Sequence, residues 1–391
     1  MIVKITKIEC IPVSMRFTKP MVMSIGSIPA ADSVVVKIHT DAGITGIGET
    51  GDTSVWYMGD SQDSIIHLVN KVFGPQILLG EDPFKIEKIV ARMDKSVKLN
   101  QHAKAVVDYA LYDLVGKALN TPVYNLLGGL SNEKIPLCYV MSSDTPEVVG
   151  TDGKKMIKAG FRSLKLKVGL RSLEEDVELV AALRRAVGPH VKIMIDANGG
   201  WHYNQALNTL KRMEKYDIFL CEQPVPRWDF QGLARLRRKV NIPIFADEAA
   251  CELNDLLKLI QMDAIDGFFL KVPKAGGLLK SQKWVSIAQA ADLVVMCGCM
   301  INSGLGAAVE AHFLAATEWM GLIEQESIGP LNLYNRLDTV KPPLKNDLAK
   351  KPVRYEAGYL YPPHGPGLGV ELNEEIIPSI ITPGKSPTVI G

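Results

Sequence analysis

An α/β fold organised as a (β/α) barrel is what this sequence predicts, and three observations predict it. Beyond about residue 130, short apolar runs alternate strictly with amphipathic stretches. The runs recur about every 25–30 residues, the pitch of a barrel of roughly 250 residues or fewer. Charged side chains stand at the C-terminal ends of successive runs, where a barrel builds its site.

The N-terminal segment does not share this rhythm. Strand-like alternation covers Ile5 to Val13 and Ser33 to Thr40, and Asp41-Ala42-Gly43 turns the chain into ITGIGET, a β-meander. Helical periodicity follows. Asp82-Pro83 marks a helix start, and Ala103 to Leu119 sets Val106, Val107, Ala110, Leu114 and Ala118 on one face. Gly128 and Gly129 stop this α+β block.

The eight barrel runs are IPLCYV, SLKLKV, KIMIDA, IFLCE, IPIFADE, GFFLKV, LVVMCG and GLIEQE. Helical stretches such as Glu174 to Val187 and Leu278 to Ala291 lie between them. From Gly329 the rhythm is lost, and KPPLKND and YPPHGPGLG read as irregular chain that packs back on the N-terminal block.

Composition narrows the function. Hydrophobic residues make up 47% of the 391 and charged residues 22%, enough for a large core. Lys plus Arg total 44 against 43 Asp plus Glu, so no basic footprint for nucleic acid or anionic membrane exists. A small-molecule partner is favoured. MIVKITKIECIPVSM has no signal-peptide pattern, and the apolar stretch from Leu293 to Ile301 is far below the roughly 18 residues of a membrane span, which predicts a cytoplasmic protein. Six scattered cysteines, at 10, 138, 221, 251, 297 and 299, predict reduced thiols rather than a zinc site or disulfides. No G-x-G-x-x-G follows a strand, which excludes a dinucleotide fold.

Read in order, the run ends give Lys165 and Lys167, then Asp196 with Asn198, Glu222, Asp247 with Glu248, and Lys271. An acid just past a strand is commonly the N-cap of the next helix. Three in succession on neighbouring strands would instead converge within a few ångströms and repel unless a cation neutralised them. All-oxygen ligands at a site open to substrate point to Mg2+, with Mn2+ as a substitute. Lysines on the second and sixth runs flank such an ion from opposite sides. A proton beside a carboxylate is too weakly acidic for an amine unless the enolate is stabilised as it forms, which a divalent cation does. Lys165 is placed to lower the pKa of Lys167 by like-charge repulsion and to contact the substrate carboxylate, while Leu164 and Leu166 pack outward.

These residues resemble the enolase superfamily, in its mandelate racemase/muconate lactonizing enzyme family and its muconate lactonizing subgroup. The resemblance rests on K-x-K at Lys165 and Lys167, D-x-N at Asp196 and Asn198, E-Q-P at Glu222 to Pro224, A-D-E at Ala246 to Glu248, and K-x-x-x-x-G-G from Lys271 to Gly277. A Lys or His base beside Mg2+ is a known pattern of enolase-type sites. The resemblance implies Asp196, Glu222 and Asp247 as metal ligands, Lys167 and Lys271 as the acid/base pair, and Glu326 near the substrate carboxylate. It also implies a modified (β/α)7β barrel over residues 131–328, capped by an α+β domain of residues 1–130 with the tail 329–391, and a homo-oligomer. Cap loops Arg16 to Ala31 and Gly51 to Asp60 would close the mouth, with Met21, Met23, Trp56 and Tyr57 forming an apolar pocket.

Absences refine the reaction. LVVMCGCMINSG carries no histidine and the sixth run ends in lysine, so the His/Asp dyad of mandelate racemase and many sugar-acid dehydratases is missing. Dipeptide epimerases of the subgroup carry D-x-D before the final Gly-Pro; here Glu326-Ser327-Ile328 stands there. Asn302 occupies a position where relatives often have an acid, and joins the substrate-contact candidates. The expected activity is a Mg2+-dependent isomerase, either a muconate-type cycloisomerase or a racemase/epimerase. The alternatives are a lyase of the o-succinylbenzoate synthase type and a barrel that binds metal and carboxylate without turnover.

Overall fold

The computed structural model describes residues 3–24, 26–339 and 346–391. Of KPPLKND, only Asn346 and Asp347 lie within the described residues.

The N-terminal sheet is antiparallel, in the order β14 (Thr388–Ile390), β1 (Ile5–Met23), β2 (Gly26–Thr40), β3 (Thr45–Glu49). Its first two strands run well beyond the predicted ends. The segment Arg16 to Ala31, expected as a loop, is largely an extended hairpin arm, paired Met15↔Ala31 and again Met21↔Ile28. A register shift between Arg16 and Met21 takes up Pro20, which has no N–H for a ladder. That proline hides the strand from a reading of alternation. The helix expected at Asp82-Pro83 starts later, spanning Ile86–Ser96, because Asp82 Oδ1 instead accepts the Phe84 N–H in a local turn.

The helix Gln101–Ala118 is buried on nearly every side, since it lies between this sheet and the barrel. Gly46 and Gly48 of β3 permit the approach. A Cβ on Gly46 would come 2.0 Å from the Ala110 carbonyl oxygen, and one on Gly48 2.5 Å from that of Val106.

The barrel is a parallel seven-stranded sheet of β5 (Cys138–Met141), β6 (Ser163–Lys167), β7 (Lys192–Asp196), β8 (Ile218–Glu222), β9 (Ile244–Ala246), β10 (Gly267–Leu270) and β11 (Val294–Cys297), neighbours in chain order. Intervening helices cover its outside, with Leu164 and Leu166 fully buried toward them. The eighth run, GLIEQE, is not a full strand. Glu318–Leu322 is a 3-10 turn, and closure falls to two residues. Gln325 exchanges hydrogen bonds with Pro136 and Cys138, both 2.8 Å, and the Glu326 N–H donates to the Cys297 carbonyl at 2.9 Å.

Inside the barrel lies an apolar floor of Cys138, Met194, Leu220, Phe245, Phe269, Met296 and Ile323, all buried. The tail divides its contacts. β12 (Arg354–Glu356) and β13 (Tyr359–Tyr361) form a small sheet with β4 (Ile135–Pro136) at the barrel's start, and β14 joins the N-terminal sheet. Among the described residues no helix is long and apolar enough to cross a membrane. All six cysteines are free.

Candidate active site

Directly above the floor the same strands change chemistry. Ladder register aligns Lys167 with Asp196 and Asp196 with Glu222, so three charged side chains from adjacent strands share one tier. Asp247 follows the end of β9, and Lys271 follows β10 as the N-cap of a short helix.

Each carboxylate is held by an ammonium group. Lys165 donates to Glu222, to Glu326 at 2.7 Å, and lies 3.6 Å from Asp196. Its Nζ also sits 4.4 Å above the Phe269 ring, where floor and charged tier meet. Lys167 donates to Asp196, and to Asn198 Oδ1 at 3.0 Å. Lys271 donates to Asp247 Oδ2 at 2.8 Å.

Burial and charge act against each other here. Burial pushes the Asp196 carboxyl up, but the Lys167 and Lys165 charges outweigh it and hold it below its ordinary range. Asp247 is likewise buried yet held well down by Lys271 and Lys274. Glu222 goes the other way, raised by burial and by the Asp196 charge. Glu248 is pushed up to about 7 by burial and by Asp247 and Asp196. Burial alone would lower Lys165 and Lys271; the facing carboxylates, Glu222 for the first and Asp247 for the second, raise both instead. The Lys165 ammonium thus stands beside Lys167 while facing Glu222, Glu326 and Asp196.

The substrate-contact candidates separate. Asn198, Glu326, Trp56 and Tyr57 line one cavity of about 60 Å³ with Lys165, Lys167 and Lys271. Glu326 is only 1% exposed. Tyr57 is buried, with its Oη donating to Asp247 Oδ1 at 2.6 Å and its ring centroid 4.1 Å from Lys271 Nζ. Trp56 is 41% exposed beside it. Asn302 is not among the lining residues: its amide donates to the buried Glu310 at 2.8 Å, because the turn after β11 directs it toward the helix Gly304–Ala316.

Three supporting residues escaped the sequence reading. Lys274, fully buried, donates to Asp247 Oδ1, to the Asp247 carbonyl and to the Phe269 carbonyl, all at 2.8 Å. Gln223 Oε1 accepts the Asp247 and Ala249 N–H groups at 2.9 and 3.0 Å. Glu310 accepts from Asn302 and from Ser327 Oγ at 2.5 Å, tying together the turns at 302 and 327. Lys274 and Gln223 stand inside the quoted K-x-x-x-x-G-G and E-Q-P stretches, and the middle positions of those stretches were the available signal. Nothing local marked Glu310.

The donors suit a hard divalent cation. Asp196, Glu222, Asp247, Glu248 and Glu326 supply only oxygen, and the buried Glu248 Oε2 and Glu326 Oε1 have no hydrogen-bond partner. Among the described residues no three such side chains are already drawn around one point, since lysine ammonium groups stand between them.

Two family models match the chain. Residues 6–128 match the mandelate racemase/muconate lactonizing enzyme N-terminal domain, and residues 150–376 match the enolase C-terminal domain-like family. A mandelate racemase/muconate lactonizing family protein from Azoarcus sp. has a crystal structure that superposes with a TM-score of 0.94 at 48% identity, covering 99% of this chain and 100% of that one. The N-succinyl-L-Arg/Lys racemase of Bacillus cereus is 32% identical over 96% of this chain and 97% of its own length. A dipeptide epimerase from Cytophaga hutchinsonii, crystallised with Mg and D-Ala-L-Val, gives a TM-score of 0.89 at 29% identity and full coverage of both chains. Other relatives of similar identity are named as a hydrophobic dipeptide epimerase and a muconate cycloisomerase.

Proposed function

Because the chain belongs to the mandelate racemase/muconate lactonizing enzyme family of the enolase superfamily, we propose that it is a Mg2+-dependent isomerase that moves a proton at the carbon next to a carboxylate, through an enolate. The observation that carries this reading is the pair Lys167 and Lys271, on β6 and just after β10, both lining one cavity.

Asp196, Glu222 and Asp247 would hold the Mg2+, which supplies the positive charge that makes an enolate dianion accessible. Lys165 orients the substrate carboxylate from beneath. One of the two lysines removes the α-proton, and the other delivers a proton to the opposite face, inverting the centre. Racemisation or epimerisation uses both bases, whereas cycloisomerisation needs one to move a proton. The two-base geometry therefore favours the first. In this reading residues 1–130 and 329–391 act as the cap that excludes water from residues 131–328.

The test is α-deuterium uptake in D2O with Mg2+ and both enantiomers of N-acyl amino acids and of small dicarboxylates, followed by NMR and optical rotation. Wild-type protein should exchange both enantiomers of a substrate. Lys167→Ala and Lys271→Ala should each abolish exchange from one enantiomer and spare the other. Exchange from both enantiomers in both variants would defeat the two-base assignment. EDTA should remove activity and Mg2+ restore it.

A further inference from the structure

Charge is distributed unevenly around the cavity. On the barrel side every lysine already has an acidic partner. On the cap side Met21, Met23, Ile28 and Trp56 are uncharged, and among the described cap residues that line the cavity Asp52 is the one charged group. It is fixed in place: its N–H donates to the Met300 carbonyl at 2.8 Å, and its carboxylate accepts from the Asp32 N–H at 3.2 Å and from Ser54 Oγ. The two cations of the same hairpin arm are elsewhere. Arg16 is exposed and outside the lining, and Lys19 pairs with Asp144 at 3.3 Å in a neighbouring cleft.

A second carboxylate on a bound substrate would thus leave water for a wall of thioether, aliphatic and indole surface. It would meet an acid there and no cation, the costliest case for a buried charge. A neutral or apolar group meets no such cost, and a cationic one gains Asp52 and the indole face.

We propose that this site takes α-substituted monocarboxylates, the cap side admitting a neutral, apolar or cationic group, and that Asp52 determines specificity by excluding a second carboxylate. The inference rests on the proton-transfer reading above and names the substrate class of that site.

Isosteric pairs test it, because an amide matches a carboxylate in shape and lacks its charge. The probes are N-succinyl-L-methionine against N-succinamoyl-L-methionine, and L-glutamate against L-glutamine, with the Mg2+-loaded full chain. Two readouts run together: α-deuterium exchange, and the melting-temperature shift each compound produces. The amide member should exchange at least tenfold faster and give the larger shift. Asp52→Asn should narrow that ratio several-fold, mainly by improving the acid. A melting shift from the amide members alone, without exchange, supports the selectivity and counts against proton transfer. Equal or faster handling of the acid members overturns the inference, as does an unchanged ratio in Asp52→Asn. A shift from no member of either pair also overturns it, since an accessible monocarboxylate site would then be absent.

Discussion

The floor of the barrel and the tier above it are carried by the same strands and are almost equally buried, yet they are chemical opposites. Met194 and Asp196 are two residues apart on β7, Leu220 and Glu222 two apart on β8, and all four are 0–1% exposed. Below, apolar side chains interdigitate and carry stability. Above, Asp196, Glu222, Asp247 and Glu326 and the ammonium groups of Lys165, Lys167, Lys271 and Lys274 remain buried, each meeting an opposite charge at 3.6 Å or less. One pleat thus separates the part that holds the fold from the part positioned to do chemistry.

The comparison can be broken most severely at the upper tier. Lys271→Ala should lower turnover by about 10²–10⁴-fold, the usual contribution of a positioned acid or base. Its melting temperature should fall less than that of a floor variant, because Asp247 keeps Lys274 and Tyr57. Leu220→Ala inverts the pattern: chemical denaturation should show a loss of about 2–5 kcal/mol, with kcat per folded molecule changed far less.

A smaller effect should follow from Gly298→Ala, at the end of β11. A Cβ there would lie 2.8 Å from Lys271 Cε, so the lysine must shift, and kcat should fall about tenfold, within the range for ångström-scale misplacement, with little change in melting temperature. Smallest is a pH slope. Burial pushes the Glu310 carboxyl up to about 7 despite its bonds from Ser327 and Asn302. A folded value above the unfolded one, about 4.3, means the native state binds the extra proton, so this contribution to stability is present at low pH and fades as pH rises toward 7. Glu310→Gln should flatten the melting-temperature profile over that window, and an unchanged slope would show that other groups set it.

How legible all this was in the sequence depends on the range of the signal. Alternation at SLKLKVG and acids at successive strand ends are local patterns, and they located Lys165, Lys167, Asp196, Glu222, Asp247 and Lys271 before any fold was known. Pairing across long separations was not legible. Nothing near Asn302 says that its amide meets Glu310, and nothing near Tyr57 says that its hydroxyl meets Asp247, 190 residues away. The hairpin arm was hidden because Pro20 interrupts a pattern that a register shift restores in three dimensions. GLIEQE read as a strand because its composition is strand-like, whereas the seam needed only Gln325 and Glu326.

That seam also dictates an order of events. Glu326, which zips the last gap through its backbone, is also the acid that Lys165 grips from 161 residues upstream. A nascent chain released before residue 326 would have its lysine doublet and metal-type acids but neither the closing stave nor this partner for Lys165. The buried cluster of lysines and acids is therefore completed only by a residue from the last stretch of the barrel.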